Sequence, residues 1–204
     1  QEIMDFNNKP KRRLFFDIET SPNIVFSWRV GFKINLDPEN IIQERAIICI
    51  SYKWEGEDKV HSLRWNKGCD KDMLSKFSKV IDSADEICGH NSDKFDVKWI
   101  RGRCIYHKIP ISPKFNSIDT LKFARAGFNF NSNKLNYISQ YLKIGKKVDT
   151  GGFDLWKSIV LNNDKASLDK MVTYCEGDVI LLEKVYKELQ SYVPEKKFKY
   201  KPQK

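Results

Sequence analysis

The sequence predicts an α/β fold: a central mixed sheet flanked by helices. Two observations carry this expectation. Runs of strand character come first, and strand and helix patterns then alternate along the chain. The 204 residues suit one domain, and 41% of them are hydrophobic, enough for a sizeable core.

Residues 1–12 are polar and basic and are expected to form a flexible N-terminal segment. Arg13 to Glu19 is rich in apolar β-formers and reads as a buried strand. Pro22, Gly31 and Pro38 make residues 21–45 an irregular excursion. Ala46 to Trp54 and Lys59 to Trp65 read as a hairpin turned at Glu55-Gly56-Glu57-Asp58. Met73, Phe77, Val80 and Ile81 share one helical face, which predicts a helix over 70–83. Glu86 to His90 is a short strand, and a helix follows from Asp93 to Tyr106 before Pro110 and Pro113 break the chain. Asn116 to Asp119 reads as another short strand, and short helices cover 120–126, 134–142 and 153–161. The last helix, 166–191, carries Leu168, Met171, Val172, Cys175, Val179, Leu182 and Val185. The domain therefore spans 13–193, and 194–204 form a basic tail.

The formal charge of +9 favours a polyanionic partner, nucleic acid first. Five scattered cysteines with no Cys-x-x-Cys speak against a disulfide framework and suit a reducing, cytoplasmic setting. His61, His90 and His107 do not cluster with them, so a structural zinc site has no support. No run of about 18 apolar residues exists, and the N-terminus lacks a signal-peptide core, so no membrane association is expected.

Three short segments carry the chemistry. In Phe16-Asp17-Ile18-Glu19-Thr20, Asp17 and Glu19 share a strand face and Ile18 points away. Two carboxylates that close repel unless a cation lies between them, and such oxygen-rich sites suit Mg²⁺ or Mn²⁺. Read alone, the segment is equally an acidic strand end meeting solvent. In the second segment Asn91 ends a strand and Asp96 enters a helix, with Phe95 expected to anchor that helix to the core and Asp93 to cap it. A helix N-terminus also favours nearby phosphate. In the third, Tyr174 and Asp178 lie one turn apart on one helical face. Gly177 leaves room beside Asp178, and Glu176 reads as a solvated surface charge. The tail alternates Lys196, Lys197, Lys199 and Lys201 with Phe198 and Tyr200, which suits either a single-strand contact or a solvated terminus. Trp28, Arg29 and Phe32 of the excursion suit either base stacking or core packing.

Together the three segments resemble the motifs of 3′–5′ exonucleases of the ribonuclease H-like superfamily that carry an Asp-Glu-Asp-Asp set with a tyrosine. The second and third motifs are similar to those of the proofreading domain of family B DNA polymerases, and Asn133-Lys134-Leu135-Asn136-Tyr137 with Leu142 to Lys147 resembles the connecting segment. The resemblance covers roughly residues 13–190. It implies a ribonuclease H-like three-layer fold. Asp17, Glu19, Asp96 and Asp178 would hold two divalent cations, and Tyr174 would orient the attacking water. Ile18, Thr20, Asn91 and Phe95 would contact nucleic acid. The implied activity is a stand-alone exonuclease on single-stranded DNA or DNA 3′ ends, releasing nucleoside 5′-monophosphates, with a separate polymerase or replication partner conceivable. An exoribonuclease or oligoribonuclease is the near alternative. A nucleic-acid-binding module with vestigial acids is the distant one, since it has no need of the full acidic set.

Overall fold

The computed structural model describes residues 11–194; the rest, including nearly all of the expected flexible N-terminus and basic tail, lies outside the described residues. In chain order the elements are β1 (Arg13–Thr20), β2 (Ile24–Val25), β3 (Ile41–Gln43), β4 (Ile47–Trp54), β5 (His61–Arg64), α1 (Lys71–Asp82), β6 (Glu86–Gly89), α2 (Asp96–His107), β7 (Ser117–Asp119), α3 (Thr120–Gly127), α4 (Leu135–Tyr141), α5 (Asp154–Asn162) and α6 (Lys165–Gln190).

β1 is the axis. Leu14, Phe16 and Ile18 make one face apolar, and Phe15 gives the start of the other face an apolar contact ahead of Asp17 and Glu19, so both sides can be covered. Leu14, Phe16 and Ile18 pack under α1 and α2 with Phe77, Ile81, Val97 and Ile100. Phe15 points the other way, into α3, α4 and α6 with Phe123, Ile138, Leu182 and Tyr186. α5 and the first half of α6 cover Ile48 and Cys49 of β4 through Leu155, Ile159, Met171 and Cys175. The sheet order is β5-β4-β1-β6-β7. β4 runs antiparallel to β1 and to β5, whereas β6 runs parallel to β1 and to β7. This is the expected three-layer arrangement around a mixed sheet.

Two expectations change. The helix expected from Asp93 begins at Asp96. Asn91 takes a left-handed conformation (φ 64°), and its carbonyl accepts from the Lys94 and Phe95 N–H groups, so a turn fills the gap. Asp93 is consequently not a helix cap; its carboxylate takes Lys122 Nζ and the Ser117 hydroxyl instead. The excursion holds a two-rung hairpin of β2 and β3. Beyond it Phe26, Trp28, Val30 and Phe32 stand exposed, which removes core packing as their explanation.

One buried carboxylate ties the α2 layer to the sheet. Asp70 is fully buried and accepts from the Ile47 N–H (3.0 Å), Arg103 Nε and Nη2 (2.8 and 2.9 Å) and His107 Nε2 (2.6 Å). Burial pushes its pKa up, but the Arg103, Ile47 and His107 hydrogen bonds outweigh that and hold it below the usual value. Asp70→Ala would leave the Ile47 N–H and the guanidinium unpaired. We expect it to cost about 3–5 kcal/mol, the usual loss when one partner of a buried pair is removed. Urea unfolding reads this directly, and equal midpoints for variant and wild type would show that the tie is unimportant.

Candidate active site

The site forms where β1 outruns its neighbour. β6 pairs with β1 only from Arg13↔Glu86 to Phe15↔Cys88, so among the described residues the Asp17–Glu19 stretch has no strand partner on that edge. On its other edge, β1 stays paired with β4 through Glu19↔Cys49, and the register then shifts between Glu19 and Thr20. Such a bulge re-aims side chains at a strand end. Trp156 of α5 donates its Nε1–H to the Thr20 carbonyl at 3.0 Å and fixes that end.

Asp17 and Glu19 share the Phe15 face, toward α6. Tyr174 and Asp178 project from α6, and between them the Cys175 thiol meets Asp17, at 3.5 Å from its carbonyl and 3.8 Å from Oδ2. Burial raises the Cys175 pKa far above its ordinary value, so it acts there as a protonated donor. Carboxylate oxygens of Asp17, Glu19 and Asp178 lie within 4.8 Å of one another. Asp96, buried at the start of α2, stands beside Asp17 rather than within that trio. Ile18 is buried under α2, and what it presents to the site is its backbone N–H, which favours the charged forms of both Asp17 and Asp96.

All four carboxyls resist ionisation. Burial, then the charge of Asp178, raises Asp17 from 3.8 to about 7. Burial, then Asp17 and Asp178, raises Glu19 from 4.5 to about 8. Asp96 is raised well above its ordinary value by burial and by Asp17, and Asp178 is raised by burial despite Lys147. Tyr174 is raised too, by burial and then by Asp178.

Lys147 is the counter-charge, a role that none of the three motifs discloses. Its ammonium donates to Asp178 Oδ2 at 2.5 Å and to the Tyr174 hydroxyl at 3.3 Å. Its backbone N–H is held by Asn136 Oδ1 at 2.8 Å, which places the lysine although the chain around it is irregular. The sequence offered only its place at the end of the connecting segment Leu142 to Lys147, and nothing local there marks it as the partner of Asp178.

Asp119 is a second residue the sequence did not reveal. Its carboxylate accepts from the Asn91, Asp93 and Leu121 N–H groups and so shapes the turn that delivers Asp96. Gly89 is needed at that turn, because a Cβ there would fall 2.4 Å from the Ser92 Cβ. His90 donates or accepts between Thr120 Oγ1 and the Asn133 carbonyl, and burial lowers its pKa to about 4, so it is a neutral strut.

The remaining candidates divide. Asn91 lines a cavity together with Lys147, and Thr20 and Phe95 line another at the end of β1. Phe95 does not anchor α2 to the core, as expected; it is 40% exposed and packs on Trp99 one turn on. Val97, Ile100 and Cys104 do the anchoring. Glu176 is not a free surface charge either, because it accepts from the Ser62 hydroxyl at 2.6 Å. A Cβ at Gly177 would meet only Val148, at 4.0 Å, so the expected room beside Asp178 exists.

Among solved structures the chain is similar to the family B DNA polymerase from the hyperthermophilic archaeon Pyrobaculum calidifontis, with a TM-score of 0.67 and 17% identity. The match covers 89% of this chain and 25% of that one, so this chain spans about a quarter of the polymerase's length. At that identity the likeness concerns the fold. No curated protein matches the chain. Residues 14–190 match the family model of the RNase H superfamily, a span that takes in all four acids and all of the sheet but Arg13. The chain belongs to the RNase H superfamily.

Proposed function

We propose that this protein is a metal-dependent 3′–5′ exonuclease that hydrolyses phosphodiester bonds at DNA 3′ ends and releases nucleoside 5′-monophosphates. One observation carries the reading: Asp17, Glu19 and Asp178 converge within 4.8 Å, with Asp96 beside Asp17 and the Tyr174 hydroxyl at the Asp178 side. A set made only of carboxylates, with raised pKa values, fits hard oxygen-seeking cations such as Mg²⁺ or Mn²⁺. Asp17, Glu19, Asp96 and Asp178 would hold two such ions. When bound, these would supply a water of lowered pKa and offset negative charge on the phosphate and the leaving oxygen.

The chain's own groups have separate tasks. The Tyr174 hydroxyl and the Lys147 ammonium both stand at Asp178, where they can hold a water or a phosphate oxygen in place. Protonated Cys175 restrains Asp17 from behind and offers no nucleophile. Thr20 and Phe95 adjoin Glu19 and Asp96 in the chain and Asn91 shares a cavity with Lys147, so the three would position the terminal nucleotide.

Purified protein incubated with 5′-labelled DNA or RNA strands and Mg²⁺, Mn²⁺ or EDTA tests the reading. We expect a one-nucleotide ladder on DNA with metal only; faster degradation of RNA would reassign the substrate. Asp17→Ala or Asp178→Ala should lower the rate about a thousandfold or more, the scale of lost metal-held stabilisation. Full activity in Asp17→Ala would sink the two-metal assignment.

Tyr174→Phe removes one hydroxyl and keeps the ring. It should lower kcat roughly tenfold to a hundredfold, with little change in strand affinity, as for a positioning group. An unchanged kcat would return Tyr174 to a packing role.

A third expectation concerns pH. Asp17 and Glu19 keep their protons to about 7 and about 8 in the folded chain, against 3.8 and 4.5 ordinarily. The folded state therefore binds more protons than the unfolded state across that window. Their contribution to stability is fully present below the lower values and is lost as pH rises to about 8. In EDTA the melting temperature should fall over that range, and saturating Mg²⁺ or Mn²⁺ should restore it most at the alkaline end. Glu19→Gln should flatten the profile; a variant profile as steep as wild type would refute the assignment.

A further inference from the structure

Two adjoining cavities run along α2 from Thr20 and Phe95, the chain neighbours of Glu19 and Asp96. The groove they form begins at Thr20, where β1 ends, as a cavity of ≈ 390 Å³ that includes Arg45, Phe95 and Trp99. The same three residues border a second cavity of ≈ 480 Å³, which continues past Lys94 and Lys98 to Arg103 and Tyr106. We propose that this groove is a track for a single-stranded nucleic acid whose end lies at the acids. Arg45, Lys94, Lys98 and Arg103 receive phosphates, while Phe95, Trp99 and Tyr106 receive bases. The proposal rests on the nuclease reading of the acids and adds the path of the strand beyond the terminal nucleotide.

The entry into α2 creates the track. Lys94 and Phe95 lie in the turn that enters α2 and Lys98 and Trp99 in its first turn; the Trp99 N–H bonds the Phe95 carbonyl at 3.0 Å, and all four residues line the same cavity. Arg45, from the segment between β3 and β4, lays its guanidinium 4.6 Å from the Trp99 ring centroid and closes the opposite wall. Arg103 is held in advance: its Nε and Nη2 are bound by buried Asp70, and its guanidinium lies 4.6 Å from the Tyr106 ring centroid. An ordered guanidinium loses less freedom when a phosphate arrives. Lys94 and Lys98 are exposed and make no ion pair among the described residues, so their charges are open to a ligand. The four cations face Glu44 and the buried Asp70, which leaves the groove positive.

The rings select a single strand. Phe95 is 40% and Tyr106 69% exposed, and open ring faces beside cations stack on unpaired bases. In a duplex those bases are already stacked and paired.

The test uses the full chain and a labelled thymidine oligonucleotide of about a dozen nucleotides, within the usual span of single-strand sites. Binding is followed by fluorescence anisotropy in EDTA, so that cleavage plays no part. Lys94→Ala/Lys98→Ala should weaken binding roughly tenfold and flatten the slope of log K against log salt by about 1.4, since each lost phosphate contact is worth about 0.7 on single strands. Gly102→Glu is the second variant. A Cβ there meets nothing within 4 Å, so the fold is undisturbed and a carboxylate enters the groove. It too should weaken binding. Wild-type affinity and salt slope in both variants would overturn the track. Equally tight wild-type binding to a blunt duplex, with the same losses, would overturn its single-strand character. Cleavage is scored separately on wild-type protein with Mg²⁺ or Mn²⁺. Failure to cut any strand would remove the nuclease reading, while the binding data would still decide whether the groove holds nucleic acid.

Discussion

The early end of the β1–β6 ladder is the constraint on which the site depends. Pairing stops at Phe15↔Cys88, two residues before Asp17. Had it continued, β6 would occupy the space that Asp96 enters from the start of α2. Because it stops, β1 and β6 part at their carboxyl ends while β6 and β7 stay paired to Gly89↔Asp119, and the gap lies at the usual ligand position in open α/β sheets. Each end contributes something different. β1 gives Asp17 and Glu19, β6 leads into Asn91, and β7 ends in Asp119, which holds the turn at Asn91.

Gathering four acids there works against folding. Each is raised by burial, and Asp17, Glu19 and Asp96 are raised further by a neighbouring carboxylate. A site this poorly neutralised must be held by something stronger than its own interactions. The surroundings supply it: the Trp156 bond to Thr20, the Cys175 contact with Asp17, and a fully buried apolar core on both faces of β1. Lys147 relieves part of the repulsion through Asp178, and it is reached by an irregular segment rather than a helix or strand. That is the arrangement expected where function sets local structure against local stability.

The strands and helices were legible because their signals are local. β1, the β4–β5 pair, α1 and α6 follow directly from apolar periodicity, and three of the acidic positions follow from the period of the element that carries them. What failed was tertiary in origin. Asp93 has the chemistry of a cap, yet the left-handed turn at Asn91 moves the helix start past it. Phe95 has the chemistry of a core anchor, yet Val97, Ile100 and Cys104 already fill that face of α2. Glu176 and Lys147 were opaque for the same reason: their partners, Ser62 and Asp178, lie 114 and 31 residues away.

The segment from Phe26 to Leu36 shows the opposite limit, where a strong local pattern yields no regular element. Phe26, Trp28, Val30, Phe32, Ile34 and Leu36 alternate with polar residues, which is the period of a half-buried strand. Among the described residues Ile24 and Val25, just before this stretch, pair with β3, and the alternating residues beyond them lie outside the described sheets. A strand needs a partner edge as well as a pattern, and a two-rung hairpin offers little. Both long edges of β1 near this point are already committed, one to β4 and the other to the acid crevice. The alternation therefore describes which face would be covered if an edge were offered, whereas the fold decides that none of its own edges is.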